Sequence, residues 1–240
     1  MHDESLTPGR RRFLAHRVDD RLELLDRGVL DRRELETNLA DLARLNRLPG
    51  GAGVSVRAVE RLLSEPRARV IDVGTGAADI PVAFARRGWS VVALDADPEV
   101  VAVARHRTSG VPGIEVVAGD GASLPFDDGS FDVAHCSLLL HHLDPGPAVR
   151  VLRELRRVSR AGIVVNDLRR GRLPLAATAV SVVVLGRCRA TRHDGILSVR
   201  RAYTVAELDA LLDEAGLAVR HRSAAWMPRV ATAAVAKDAA

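Results

Sequence analysis

The chain reads as an open, doubly wound α/β domain whose sheet is mostly parallel. Three observations predict that class. Short apolar runs recur from Arg69 to Asp167, helical stretches separate them with little slack, and the runs show no polar alternation. Strands covered by helices on both faces have this character.

Up to about Glu65 the chain reads as helical, which predicts a cap over residues 1–65 ahead of a main domain over 66–240. Leu14, Val18, Leu22 and Leu25 predict a helix from Arg10 to Arg27, and Leu35, Leu39, Leu42 and Leu45 predict another. Both sets recur at three- and four-residue intervals, which places each set on one helical face. Pro49 to Gly53 breaks the pattern, and a short helix from Val56 to Leu63 follows. ARVIDVG is then the first strand, with a helix ending near Gly88. SVVALD, IEVVAGD, FDVAHCS and GIVVND are the next four strands, with helices starting at Pro98 and running from Pro145 to Val158. Asp97 and Asp144 each precede a proline, a capping carboxylate ahead of a residue suited to the first helical position. The Pro145 helix is expected to bury Ala148, Val151, Leu152, Leu155 and Val158. An insert at about 168–203 follows the fifth strand. Thr204 to Glu207 is a capping box, with Tyr203 and Leu208 as its hydrophobic staple. Gly216 closes that helix, and LAVRHRSA and PRVATAAVA complete a seven-stranded sheet.

Composition narrows the function. With 240 residues and 47% apolar content the chain suits one ordinary domain, and at 3% aromatic its core must rest on Leu, Val and Ala. The net charge of +4 invites a nucleic-acid reading, but Lys237 is the sole lysine and 31 acids are interleaved with the arginines. A dispersed excess makes no basic stripe, so no nucleic-acid partner is expected. Cys136 and Cys188 lie in no close pair, which suits a reducing compartment. MHDESLTPGRRRF lacks the apolar stretch of a signal peptide. The longest apolar run, Leu173 to Leu185, is 13 residues and contains Pro174, too short to cross a bilayer. A cytoplasmic protein without membrane contact is expected, and a homodimer stays open.

The chemistry concentrates at the first strand–helix junction, VIDVGTGAADIP. Gly74 and Gly76 leave a turn without β-carbons at the carboxyl edge of the sheet, where open α/β sheets bind ligands. Asp72 sits within an apolar strand, an odd place for a carboxylate without a polar partner. Asp95 ends the second strand, about 20 residues on, where an acid can hold a ribose diol. Asp120 ends the third. Each acid alone can equally be a helix cap or a loop carboxylate.

Together these segments resemble the class I S-adenosylmethionine-dependent methyltransferases, in particular the small-molecule branch that modifies quinones and polyketides. The resemblance covers about Arg69 to Asp167. It implies a Rossmann-like sheet and S-adenosylmethionine as cofactor, with Asp72, Gly74, Thr75 and Gly76 facing the methionine moiety. It also implies Asp95 and Ala96 at the ribose, Asp120, Gly121 and Ala122 flanking the adenine, and Cys136, Ser137 and Leu138 lining the reactive end. Ala78 stands where the family's third glycine is common. Residues 156–162 replace the usual Lys-Pro-Gly-Gly, and Asp79 at the last position of a Gly-x-Gly-x-x-Gly weakens a dinucleotide reading.

The expected reaction is methyl transfer to a small, largely apolar acceptor, by O-methylation of a phenol or hydroxyl of a polyketide- or quinone-like compound. C-methylation of the same acceptors, RNA modification and a non-catalytic cofactor-binding scaffold are the alternatives. A phenol must lose its proton, and histidine is a natural base at neutral pH. His141 and His142, just after the fourth strand, are the candidates, although the pair can equally brace the loop to Asp144. The resemblance implies that the N-terminal cap and the insert form a lid. In the insert His193, Asp194, Arg200, Arg201 and Tyr203 are either substrate contacts or parts of a solvated loop. Adjacent His193 and Asp194 make no metal site, and no Cys/His cluster is written elsewhere, so no metal is expected.

Overall fold

The structure is a computed structural model and describes residue 14 and residues 16–48, 51–223 and 228–239. Its elements are α1 (Arg32–Leu45), α2 (Ala52–Glu60), β1 (Arg69–Val73), α3 (Asp79–Ala85), β2 (Ser90–Asp95), α4 (Pro98–Thr108), β3 (Ile114–Ala118) and β4 (Phe131–Ser137). A 3₁₀ turn (Leu140–His142), α5 (Pro145–Val158), β5 (Ser159–Leu168), α6 (Arg172–Leu185), α7 (Arg189–Arg201), α8 (Val205–Glu214), β6 (Leu217–Arg222) and β7 (Arg229–Ala236) follow. The seven strands form one sheet in the order β3-β2-β1-β4-β5-β7-β6. The five strands from β1 to β5 pair in parallel, whereas β7 is antiparallel to both β5 and β6.

The two faces of the sheet are sorted residue by residue. Ile71 and Val73 of β1 join Leu152, Leu155, Leu208 and Leu212 of α5 and α8. Val70, the residue before Ile71, turns the other way, onto Val56 and Val59 of α2 and Phe84 of α3. That period of two is the pleat of a strand, and it puts Asp72 on the α2 face. Complete burial of a leucine such as Leu152 or Leu155 contributes about 1.5–3 kcal/mol, so this layering dominates the stability.

The predicted caps mostly form. Asp97 accepts from the Glu99 N–H at 2.8 Å, and the Thr204–Glu207 capping box closes in both directions. Asp31 and Glu34 build a second box at the start of α1. Asp144 is an exception: its carboxylate leaves the helix uncapped and accepts from Arg17 at 2.9 Å.

Two segments differ from expectation. The leucine spacing before Arg27 predicts a helix, but residues 16–30 run as turns and irregular backbone; the remainder of the predicted helix lies outside the described residues. The apparent period is satisfied by spot contacts instead, Glu23 being buried and Leu22 55% exposed. The insert is two packed helices, α6 and α7, with no long loop. Buried Asp41 of α1 latches the insert by accepting from the N–H groups of Arg187 and Cys188, each at 2.7 Å, and from the Thr191 hydroxyl at 2.9 Å. Among the described residues no helix is long and apolar enough to cross a membrane.

Candidate functional site

The β1–α3 junction is a left-handed turn. Gly74 (φ +70°) and Gly76 (φ +53°) adopt backbone that disfavours a β-carbon, and one added at Gly74 would stand 3.0 Å from Leu139. Ala78 is left-handed too, at φ 55°. An alanine pays about 1 kcal/mol for that conformation, and it stands where glycine is common in the resembling family. The N–H groups of Gly74 and Thr75 donate to the Leu94 carbonyl at 2.9 and 3.0 Å, tying the turn to the end of β2. One residue on, the Asp95 carboxylate accepts from the Gly76 N–H at 3.0 Å and the Asp97 N–H at 3.2 Å. Burial pushes the Asp95 carboxyl above its ordinary value, with the Gly76 and Asp97 N–H groups opposing.

Asp72 has its polar partners within the protein. It accepts from the Thr75 hydroxyl at 2.7 Å and meets His135 Nδ1 at 2.5 Å. His135 Nε2 lies 2.8 Å from the Ser55 hydroxyl, which also receives the Asn166 amide at 2.9 Å. This buried chain links β1, β4, α2 and β5, and Phe84 packs edge-on against His135 with ring centres 5.1 Å apart.

A second polar cluster gathers around the 3₁₀ turn. His141 Nδ1 lies 2.6 Å from Asp167 Oδ1, and His142 Nδ1 lies 2.8 Å from Asp26 Oδ2. The two rings sit 4.2 Å apart, and Glu23 faces both, with Oε1 3.6 Å from His141 Nε2 and Oε2 4.0 Å from His142 Nε2. Burial opposes charge on His142, but Glu23 and Asp26 outweigh it and hold its pKa at about 9. For Asp167, burial raises the carboxyl, yet His141 and the Leu168 N–H bring it below the ordinary value. Arg17 and Arg201 fix the turn from behind. Arg201 donates to the carbonyls of His141 and His142 at 3.2 and 2.8 Å, and Arg17 to those of Leu143 and Arg201, both at 2.7 Å.

One cavity of about 540 Å³ joins these two regions. Asp72, Gly74, Thr75, Gly76, Asp95, Ala96, Ser137 and Leu138 line it at the glycine turn, and His141, His142, Glu23 and Asp26 at the far corner. Leu39, Leu42 and Leu45 of α1 roof it, with Val182 of α6 and Ser198 of α7 completing the enclosure.

Several sequence candidates lie elsewhere. Cys136 is a core residue of β4, and burial drives its thiol pKa up. Asp120, Gly121 and Ala122 stand outside the cavity wall: the Asp120 carboxylate accepts from the Ala122 N–H at 2.8 Å, closing a local turn. His193 points to solvent and pairs with Asp194 at 2.8 Å, while Arg200 gives its carbonyl to the Val18 N–H. The Tyr203 hydroxyl donates to the Leu143 carbonyl at 2.7 Å under the Arg17 guanidinium. None of these three lines the cavity. Asp194 does, and its carboxylate accepts from the N–H groups of Leu24 and Leu25.

Among the wall residues the sequence reading missed are four with ionisable side chains. Arg229 of β7 is buried at the cavity, donating to Asn46 and, at 2.7 Å, to the Ser137 hydroxyl. Burial lowers its pKa to about 10, with Asp167 and Asp79 opposing, so it stays charged at neutral pH. Glu23, Asp26 and Asp79 complete the four. Asp79 lies within the glycine-turn motif itself; nothing local marks the other three, since each gains its meaning from residues distant in sequence.

The methyltransferase domain family model matches residues 70–162, the span from β1 into β5. A demethylmenaquinone methyltransferase from Clavibacter sepedonicus is 32% identical over 183 residues, covering 70% of this chain and 72% of that one. An uncharacterized methyltransferase from Synechocystis is 28% identical over 165 residues, covering 67% and 72%. Other relatives are matched over less than half of their own length. Among solved structures, an Aquifex aeolicus S-adenosylmethionine-dependent methyltransferase shares the fold, with TM-score 0.62, 20% identity and coverage of 85% and 98%. The chain belongs to the class I S-adenosylmethionine-dependent methyltransferases. S-adenosylmethionine is the cofactor of this enzyme, and the site fits it. Gly74 leaves wall space that a β-carbon would fill, and Asp95 holds a carboxylate at the end of β2.

Proposed function

We propose that this methyltransferase acts on a small, largely apolar acceptor carrying an acidic hydroxyl, such as a phenol or a quinol, and that the methyl group goes to oxygen. The observation that carries the reading is the leucine-walled cavity that runs from the glycine turn to the His141–His142 corner. Apolar walls with a few convergent polar groups select a flat, greasy ligand and orient its one polar end. The demethylmenaquinone methyltransferase relatives favour a quinol-like ring.

Asp95 would accept from the ribose hydroxyls, and the Gly74–Gly76 turn would lie along the methionine moiety. Buried Arg229 is the cation for the carboxylate of that moiety. S-adenosylmethionine, when bound, supplies a methyl already activated on sulfonium sulfur. The chain must exclude water, align the acceptor and handle its proton. The α1 roof and the α6–α7 insert do the first two, and alignment alone can contribute several kcal/mol. His141 is the candidate for the third, while His142, held protonated at neutral pH by Glu23 and Asp26, would be a hydrogen-bond donor to the acceptor oxygen.

The test is incubation with methyl-labelled S-adenosylmethionine and a panel of apolar phenols and quinols. Stoichiometric S-adenosylhomocysteine with label in an O-methyl product supports the reading. Label in a ring C-methyl overturns the choice of oxygen, and cofactor binding without transfer across the panel favours the scaffold alternative.

A further inference from the structure

We infer that Glu23, His141 and His142 form a binding site for one divalent transition-metal ion, with zinc as the type, whose open positions face the acceptor end of the cavity. One donor atom from each residue lies within 4.8 Å of the others. The arrangement goes beyond proximity because every donor is aimed. Asp167 engages His141 Nδ1 and Asp26 engages His142 Nδ1, so both Nε2 atoms are left to point at the Glu23 carboxylate. Glu23 is itself fixed by the Ser198 hydroxyl, which donates to Oε1 at 2.7 Å. Ligand histidines commonly carry such a carboxylate on the other ring nitrogen, which sets the tautomer and the ring orientation.

The distances suit an ion. Tetrahedral zinc with bonds of about 2.0–2.1 Å separates its ligands by about 3.3 Å. The observed separations are 3.6 Å from Glu23 Oε1 to His141 and 4.0 Å from Oε2 to His142, with the three donors within 4.8 Å of one another, so the site would close by about 0.3 to 1.5 Å around an ion. Two imidazoles and one carboxylate favour zinc, cobalt or iron over magnesium or calcium. Three protein ligands are also the complement of a site that keeps a position open for a further ligand. All three residues line the cavity, so that position faces its interior. The ligand class it suits is an oxygen anion, a phenolate or enolate. In that last respect the inference rests on the reading of the acceptor above; ion binding itself does not.

The experiment uses untagged full-length protein, stripped with chelator and loaded with Co²⁺ or Zn²⁺ alone. Titration should show one ion per chain, and X-ray absorption on the wild-type zinc form should show two imidazoles and oxygen without sulfur. Glu23→Gln and His142→Ala should each bind the ion at least tenfold more weakly while binding S-adenosylhomocysteine as the wild type does. No stoichiometric binding, sulfur in the first shell (which would implicate Cys136 or Cys188), or wild-type affinity in both variants overturns the site. The wild-type spectrum decides even if a variant fails to fold. A site that binds the ion in a protein that methylates no phenol or quinol would leave this inference standing and remove the acceptor reading.

Discussion

Asp72 and His135 are register partners on β1 and β4, and their side chains meet at 2.5 Å with both residues buried. The pair explains why an acid is tolerated in the middle of an apolar strand: its carboxylate finds hydrogen-bond partners inside the sheet, and the chain of hydrogen bonds continues from His135 through Ser55 to Asn166. Removing one member strands the other. Asp72→Ala should therefore cost about 1–3 kcal/mol in urea unfolding, the penalty for a buried polar group left without its partner. A loss below about 1 kcal/mol would mean that the pair contributes little to the fold.

That pair also shows how far the sequence could be read. The strands, their order of use and the capping residues Asp97 and Thr204 were legible, because apolar runs and caps are local signals. Asp72 was legible as anomalous, but its partner was not, since His135 lies 63 positions away and only strand register joins them. The glycine-turn end of the cavity is built from the ends of β1, β2 and β4, strands whose apolar runs and terminal residues are each local signals. The acceptor end is not legible in that way: Glu23, His141 and Asp167 come from three segments that meet only after the sheet forms and the N-terminal strap crosses it. Over residues 16–27 the helix expected there gives way to irregular backbone for a related reason. A three-to-four spacing of leucines cannot reveal that the backbone there is held by Arg17, Arg201 and Asp194.

Asp95 gives the clearest cofactor test. Asp95→Ala should weaken S-adenosylmethionine binding by about 1–3 kcal/mol in calorimetry, the worth of hydrogen bonds to a charged acceptor. Burial raises the folded-state pKa of this carboxyl. Its ionisation therefore works against folding as pH rises through that value, whereas cofactor affinity needs the carboxylate and should fall as pH drops through it. Wild-type affinity should decline from a pH above the ordinary Asp range, and the Ala variant should lack that decline.

Arg229 should matter to the same ligand through its opposite charge. Arg229→Met keeps an apolar stem but removes the partner for a carboxylate. Affinity for S-adenosylhomocysteine should fall about tenfold or more, since a charged hydrogen bond is worth about 1.5–3 kcal/mol. Binding of 5′-methylthioadenosine, which lacks the carboxylate, should barely change. Equal losses for both ligands would refute the pairing and point to a packing defect around Asn46 and Ser137.

Glu207 offers a stability test away from the cavity. Burial raises its pKa, but Arg170 at 2.5 Å and the Thr204 N–H bring it below the ordinary value. A lowered carboxyl pKa stabilises the fold above the unfolded-state value and loses that contribution as pH falls through the folded one. Glu207→Gln should cost about 1 kcal/mol at pH 7, a figure discounted for solvent screening of a half-exposed side chain. The gap between the variant and wild type should narrow in thermal melts as pH falls below the ordinary glutamate range.

Arg17 anchors the strap that carries Glu23 and Asp26 to the histidine corner. Its guanidinium donates to the carbonyls of Leu143 and Arg201 and to the Asp144 carboxylate, and it lies over the Tyr203 ring 4.9 Å from the centroid. Arg17→Ala deletes all of these contacts while leaving the sheet and its two helical layers untouched. Local opening is set by just such tertiary ties where backbone is irregular. Hydrogen exchange of residues 18–28 should therefore speed up at least tenfold in the variant, with protection of β1, β4 and β5 unchanged. Uniformly faster exchange throughout the sheet would show instead that the strap is part of the global folding unit, and that Arg17 supports the core as well as the site.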